Sequence, residues 1–181
     1  MSKLFWSRPL FSVERDFVRE HFGDSLDFIL PKLRLYLRRV GDRRRALSMN
    51  GGRVFLPASF FENNDPRQPL RLTHPVVAGI FAHELLHQWQ RLAGRAVTRQ
   101  AIWLQVKATC LRRNPYHYQR CATPEAMLTL FLQATVEQQG QIWEDHVHAA
   151  VLGEPLPCMV LVAAYIRGVQ SDAGLKVAIN S

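Results

Sequence analysis

The residues with the clearest capacity for chemistry are His83, Glu84 and His87, which stand in the order His-Glu-Leu-Leu-His. On a helix the two imidazoles fall one turn apart on the same face, a spacing that lets both bind one zinc ion. Glu84 is rotated off that face. It can reach a water at the metal rather than the metal itself, which is the place a general base needs. A catalytic zinc site takes three protein ligands and leaves a fourth position open. The elongated form of the motif would put glycine at position 90 and histidine at position 93, and it is excluded because Gln90 and Ala93 stand there.

The third ligand therefore comes from elsewhere in the chain. The stretch from Thr135 to His146 has helical composition, and Glu137, Gln141, Glu144, Asp145 and His148 recur at helical spacing. Glu137 is the preferred ligand. It begins the polar face and leaves Glu144 and Asp145 two turns further along to accept a hydrogen bond from a ligating imidazole. Glu144, Asp145, His146 and His148 stay open as alternatives. Tyr116 and Tyr118, in a Tyr-His-Tyr loop between Pro115 and Cys121, are candidate catalytic donors to the oxyanion that forms as water attacks a carbonyl.

These side chains need elements to hold them. Thr73-His-Pro75 predicts a helix start with proline in the first turn, the helix running to about Gly94. Its apolar face comprises Val77, Ile80, Phe81, Leu85, Trp89 and Leu92, so the histidines face a cleft. Upstream, Ser12 as N-cap and Gly23 as terminator bound a short amphipathic helix. Leu33 to Arg38 alternates as a strand, with Pro31 opposing a helical reading. Asn50-Gly51-Gly52 between Ala46–Met49 and Arg53–Leu56 signals a hairpin. A third helix is expected between Pro124 and Gly153, and a fourth between Pro157 and Gly168. The strand at Arg53–Leu56 is expected to hold an extended peptide by taking it as one more strand.

Composition fits one globular domain spanning residues 1–181: 48% of the residues are hydrophobic, and 23 Lys+Arg against 15 Asp+Glu give a net charge of +8. The longest apolar run, Cys158–Ile166, is far below the ~20 residues of a membrane span. The start lacks the apolar core of a secretory signal, so export would depend on another component. Cys110, Cys121 and Cys158 form no paired motif, although a Cys110–Cys121 bridge is open after export. Arg38, Arg39, Arg43, Arg44 and Arg45 are the strongest pointer to nucleic acid. No zinc-finger spacing or base-stacking pattern accompanies them, so the expectation is solvated charge and no nucleic-acid partner.

Several segments together resemble a known family: Phe22-Gly-Asp-Ser-Leu-Asp27, Met49-Asn-Gly51, Val54-Phe-Leu-Pro57, Phe81-Ala-His-Glu-Leu-Leu-His-Gln-Trp-Gln90, Tyr116-His-Tyr118 and Val136-Glu-Gln-Gln139. They are similar to the zincin-like metallopeptidase domain at the C-terminus of some type VI secretion spike proteins and of related bacterial toxins. The resemblance covers roughly residues 22–148, and its specific parts are the motif followed by Gln-Trp-Gln and the later Glu-Gln-Gln. It implies an α+β zincin-like fold, mostly helical, with a small twisted sheet beside the active-site helix. It also implies a zinc peptidase with His83, His87 and Glu137 as ligands and Glu84 as base. A further implication is an antibacterial effector made in the cytoplasm and delivered into a target cell, in some cases to its periplasm. A spike or chaperone, a cognate immunity protein and a protein or peptide substrate would be its partners. The chain departs from the pattern at Gly140 and His117, where alanine and an acidic residue are expected. The competing reading is a catalytically inactive zincin-like fold that serves as a basic binding or adaptor module.

Overall fold

The computed structural model describes residues 6–39, 45–95 and 117–168. Strand β1 (Ser7–Pro9) leads into helix α1 (Ser12–Phe22). Strands β2 (Arg34–Leu37), β3 (Leu47–Met49) and β4 (Arg53–Leu56) follow, and then the long helix α2 (Pro75–Leu92). The C-terminal half supplies α3 (Pro124–Gln133), α4 (Val136–Val151) and α5 (Val160–Ile166). Among the described residues helices outweigh one four-stranded mixed sheet, so the fold is α+β.

The sheet has the order β1-β2-β4-β3, with β2 and β4 parallel and the outer pairs antiparallel. Its inner row aligns Arg8, Leu35, Val54 and Ser48. Leu35 and Val54 are fully buried there. The hairpin forms as expected, and Gly51 and Gly52 take φ of 76° and 75°, a conformation only glycine adopts without strain. This topology corrects the expectation that Arg53–Leu56 could accept a peptide strand. That segment is β4, already paired on both sides, and the strand at the sheet edge beside α2 is β3. Two β3 carbonyls, of Ser48 and Met49, accept hydrogen bonds from Arg91 and Gln88 of α2.

Two helix boundaries also differ from the sequence reading. Ser12 is the first residue of α1 rather than its cap, and the buried Glu14 carboxylate accepts the Phe11 N–H at 2.7 Å. Glu14 also receives both Nη atoms of Arg8 at 2.6 Å and the Leu70 N–H, tying β1, α1 and the 66–70 loop together. The single helix expected between Pro124 and Gly153 is two. The chain turns extended at Ala134, and Thr135 with Gln138 forms a capping box that starts α4 afresh.

Helix α2 runs through the core. Val77, Phe81 and Leu85 are buried as anticipated, but so are Ala78, Ala82 and Leu86, while Leu92 is exposed. A helix buried on so many sides needs a close-fitting neighbour, and α4 is that neighbour.

Candidate metal centre

His83 and His87 project from α2 toward the first turns of α4, and both are buried, as is Glu137. The Nε2 atom of His83 lies 3.6 Å from one Glu137 oxygen, and Nε2 of His87 lies 3.7 Å from the other. Ligand atoms about 3.4 Å apart are what tetrahedral coordination with bonds of ~2.0–2.2 Å requires. Among the described residues, these three form the one group of histidine, cysteine and acidic side chains placed to share an ion, with all three donor atoms within 4.8 Å of one another. The donor set therefore fits a divalent metal on geometry and on chemistry.

The far side of each ring is held as well. His83 Nδ1 lies 2.9 Å from Glu144 Oε2, and His87 Nδ1 lies 2.8 Å from Gln90 Oε1. A proton on each Nδ1 satisfies these acceptors and leaves each Nε2 lone pair toward Glu137, the tautomer that metal ligation needs. Gln90 is fully buried and in turn donates to Val136 O and Gln139 Oε1, and Gln139 donates to Phe131 O. This amide relay locks the His87 end of α2 to the start of α4.

Small residues let the helices meet. An ideal Cβ on Gly140 would stand 2.6 Å from Cε1 and Nε2 of His83. One on Gly79 would lie 3.1 Å from the Glu144 carbonyl oxygen. The glycine at 140, a departure from the resembled pattern, is thus what leaves room for the His83 ring.

The charges of the site act strongly on one another. Burial alone would lower His83, but hydrogen bonds to Glu137 and Glu144, together with the charges of Glu84 and Glu144, raise it to about 10. Burial and the His83 charge push His87 the other way. Burial would raise Glu137, yet the hydrogen bond to His83 and the charges of His87, His83 and Arg45 hold it below its ordinary value. Glu84 rises to about 7, mainly through burial, with the charges of His83, Arg91 and Arg38 opposing.

The remaining sequence candidates fall in different places. Glu144 reaches His83 on the nitrogen opposite Glu137. Asp145 accepts the Tyr118 hydroxyl at 2.6 Å and the Gln141 amide at 2.8 Å. His146 packs on Trp143 with ring centroids 4.9 Å apart, and His148 lies across from Gly79. None of these last three joins the His83, His87 and Glu137 group. Burial and the bond to Asp145 raise the Tyr118 hydroxyl well above its ordinary value. Tyr116, Arg43, Arg44 and Cys110 lie outside the described residues. Gln90 and Gln139 enter the sequence reading only within the resembled motif and Gly140 only as a departure from it, with no role at the site given to any of the three. Gln90 sits three residues after His87, a spacing that could have suggested the contact.

Comparison with solved structures finds similarity to the effector domain of Pseudomonas aeruginosa VgrG2b, with a TM-score of 0.61 and 20% sequence identity over 84% of this chain and 79% of that one. No protein-family model and no curated protein matches the sequence. At that identity the likeness bears on the fold, and the two chains share an α+β architecture over most of their length.

Proposed function

We propose that this chain is a zinc-dependent metallopeptidase that acts as a type VI secretion effector. The observation that carries the reading is the convergence of His83, His87 and Glu137 on one point, with Glu84 next in sequence to the first of them and buried beside it. When bound, zinc supplies Lewis acidity toward a peptide carbonyl and a water. Glu84 would take a proton from the attacking water and pass it to the leaving amine. Glu144 and Gln90 hold the two imidazoles in orientation through Nδ1. Tyr118 and Tyr116 remain candidates for stabilising the oxyanion. The effector role is supported by the structural likeness to an effector domain of a Pseudomonas protein. It implies delivery into a target cell by a spike or chaperone, a cognate immunity protein in the producer, and a protein or peptide substrate. No helix among the described residues is long and apolar enough to cross a membrane.

The test is zinc content and turnover on the same preparations. Wild-type protein is expected to bind one zinc ion. Glu84→Gln is expected to keep the zinc while losing roughly 10²–10⁴-fold in peptide hydrolysis and its toxicity in a recipient cell. Protein that binds no metal, or a Glu84→Gln variant with full activity, overturns the reading.

A further inference from the structure

Three arginines stand beside the candidate metal centre with no carboxylate partner among the described residues. Arg91 follows His83 and His87 at intervals of four residues and so shares their face of α2. Its guanidinium donates to Ser48 Oγ at 2.8 Å and Ser48 O at 2.9 Å, which holds it between α2 and β3. Arg38, just past β2, donates to the Ala46 carbonyl at 3.0 Å. The Nε atoms of both are buried with no hydrogen-bond partner among the described residues. Arg45 precedes Ala46 and is exposed. Arg91 lies one helical turn beyond His87, and Arg38 and Arg45 meet at Ala46 just before β3, the strand packed against α2.

Among the described residues, none of the three has a carboxylate within 4.0 Å, whereas Arg8 at the opposite edge of the sheet is paired with both oxygens of Glu14. The acids of the site are already committed. Glu137 faces both imidazoles and would be a ligand once a metal is bound, Glu84 is taken up by the role of base, and Glu144 serves His83. The arginine charge is left over, on the side of the site where β3 forms the sheet edge. Arginine forks are suited to carboxylates, and desolvation strengthens such pairs.

We propose that the site selects peptides carrying an Asp or Glu side chain within two residues of the scissile bond, with Arg45 and Arg91 receiving the carboxylate and Arg38 backing them. This rests on the peptidase reading and adds its substrate class. The probe is a proteome-derived peptide library digested by the zinc-loaded full chain, with cut sites read by mass spectrometry. Synthetic pairs differing by Glu or Gln at the preferred position follow. Asp and Glu are expected to be enriched near the cut, and kcat/KM for the Glu peptide to exceed that for the Gln peptide by about tenfold or more, the range of a charge-assisted hydrogen bond. Arg45→Gln, at an exposed position, is expected to shrink this ratio to within about threefold, and raised salt to shrink it in wild type. Arg91→Lys, which keeps charge but loses the fork, is expected to give an intermediate ratio. Fluorescence anisotropy with labelled Glu and Gln peptides on Glu84→Gln protein reads the same preference without turnover.

Cleavage with no acidic enrichment, or a ratio unmoved in Arg45→Gln, overturns the charge assignment and leaves the peptidase standing. A library left uncut by zinc-loaded protein overturns both. Tighter binding of a single-stranded oligonucleotide than of the acidic peptide, lost in Arg45→Gln, reassigns the arginines to nucleic acid and overturns the proposal.

Discussion

Replacing Gly140 by alanine adds one methyl group at the point where α4 touches the His83 ring. The added Cβ would lie 2.6 Å from Cε1 and Nε2, and restoring an ordinary contact of 3.4 Å requires a retreat of about 0.8 Å. Gly140 is inside a helix, so the backbone cannot give without disturbing the Glu137 turn that precedes it. The ring must therefore move, and it carries Nε2 with it. Metal sites tolerate errors of about 0.2 Å in ligand position, so the displacement exceeds the tolerance about fourfold. Disturbing ligand orientation costs about 10–100-fold in metal affinity, and the upper end is expected here. Folding stability should change much less. Overpacking costs about 1–3 kcal/mol, and replacing a mid-helix glycine by alanine returns up to about 1 kcal/mol. Chelator-competition titration with zinc and urea unfolding in EDTA separate the two effects. Gly79→Ala serves as a graded companion: its nearest contacts of 3.1–3.4 Å are looser and reach the site only through Glu144 and His148, so a loss below tenfold is expected. Gly140→Ala protein that binds zinc as tightly as wild type would refute the reasoning, because the ring would then have room the geometry denies it.

Two further outcomes are expected. Tyr118→Phe removes a 2.6 Å bond to Asp145 and should lower stability by about 1–2 kcal/mol while reducing kcat less than about tenfold; a fall of 10²–10³ would instead mark the hydroxyl as an oxyanion donor. His21 and His146 are both lowered from 6.5 to about 4, by burial first and then by the Arg167 charge, with His21 also acting on His146. The folded state therefore binds fewer protons than the unfolded one, and the stability it gains is complete above pH 6.5 and lost as pH falls toward 4. At ~1.36 kcal/mol per pH unit the ceiling is about 3 kcal/mol for each, and residual solvent contact reduces it to about 2 kcal/mol. Urea unfolding in EDTA from pH 7 to 5 should show this slope, flattened by about one proton in His146→Phe, and an unchanged slope in that variant would reject the assignment.

The sequence disclosed one half of the candidate metal centre because that half is local. His83 and His87 are four residues apart, so their shared face follows from helix geometry alone. Glu137 was reachable by reading a polar face, and the Glu144 contact to His83 by the same stripe. The roles of Gln90, Gln139 and Arg91 were not, since a buried amide or an arginine gains its role from partners on another element: Gln139 on α4 meets Gln90 on α2, and Arg91 meets Ser48 on β3. Within the fold, the hairpin was legible because its glycines act locally, but the parallel pairing that places β4 inside the sheet joins residues about twenty apart. The break before α4 was written in Thr135 and Gln138, and the helix-forming residues on both sides masked it.

What connects these cases is that the centre belongs to a crossing of two helices, and the second helix has a pattern as regular as the first. Glu137, Gly140 and Glu144 are spaced by three and four residues, one stripe of α4. Glu137 meets Nε2 of His83, Gly140 admits the ring, and Glu144 meets Nδ1. Gly79, His83 and His87 form the matching stripe of α2, spaced by four. A single imidazole is thus gripped at both nitrogens and on its side by one helical surface. Shifting α4 by one residue would remove all three contacts together, so the two stripes constrain each other in a way that neither motif expresses alone.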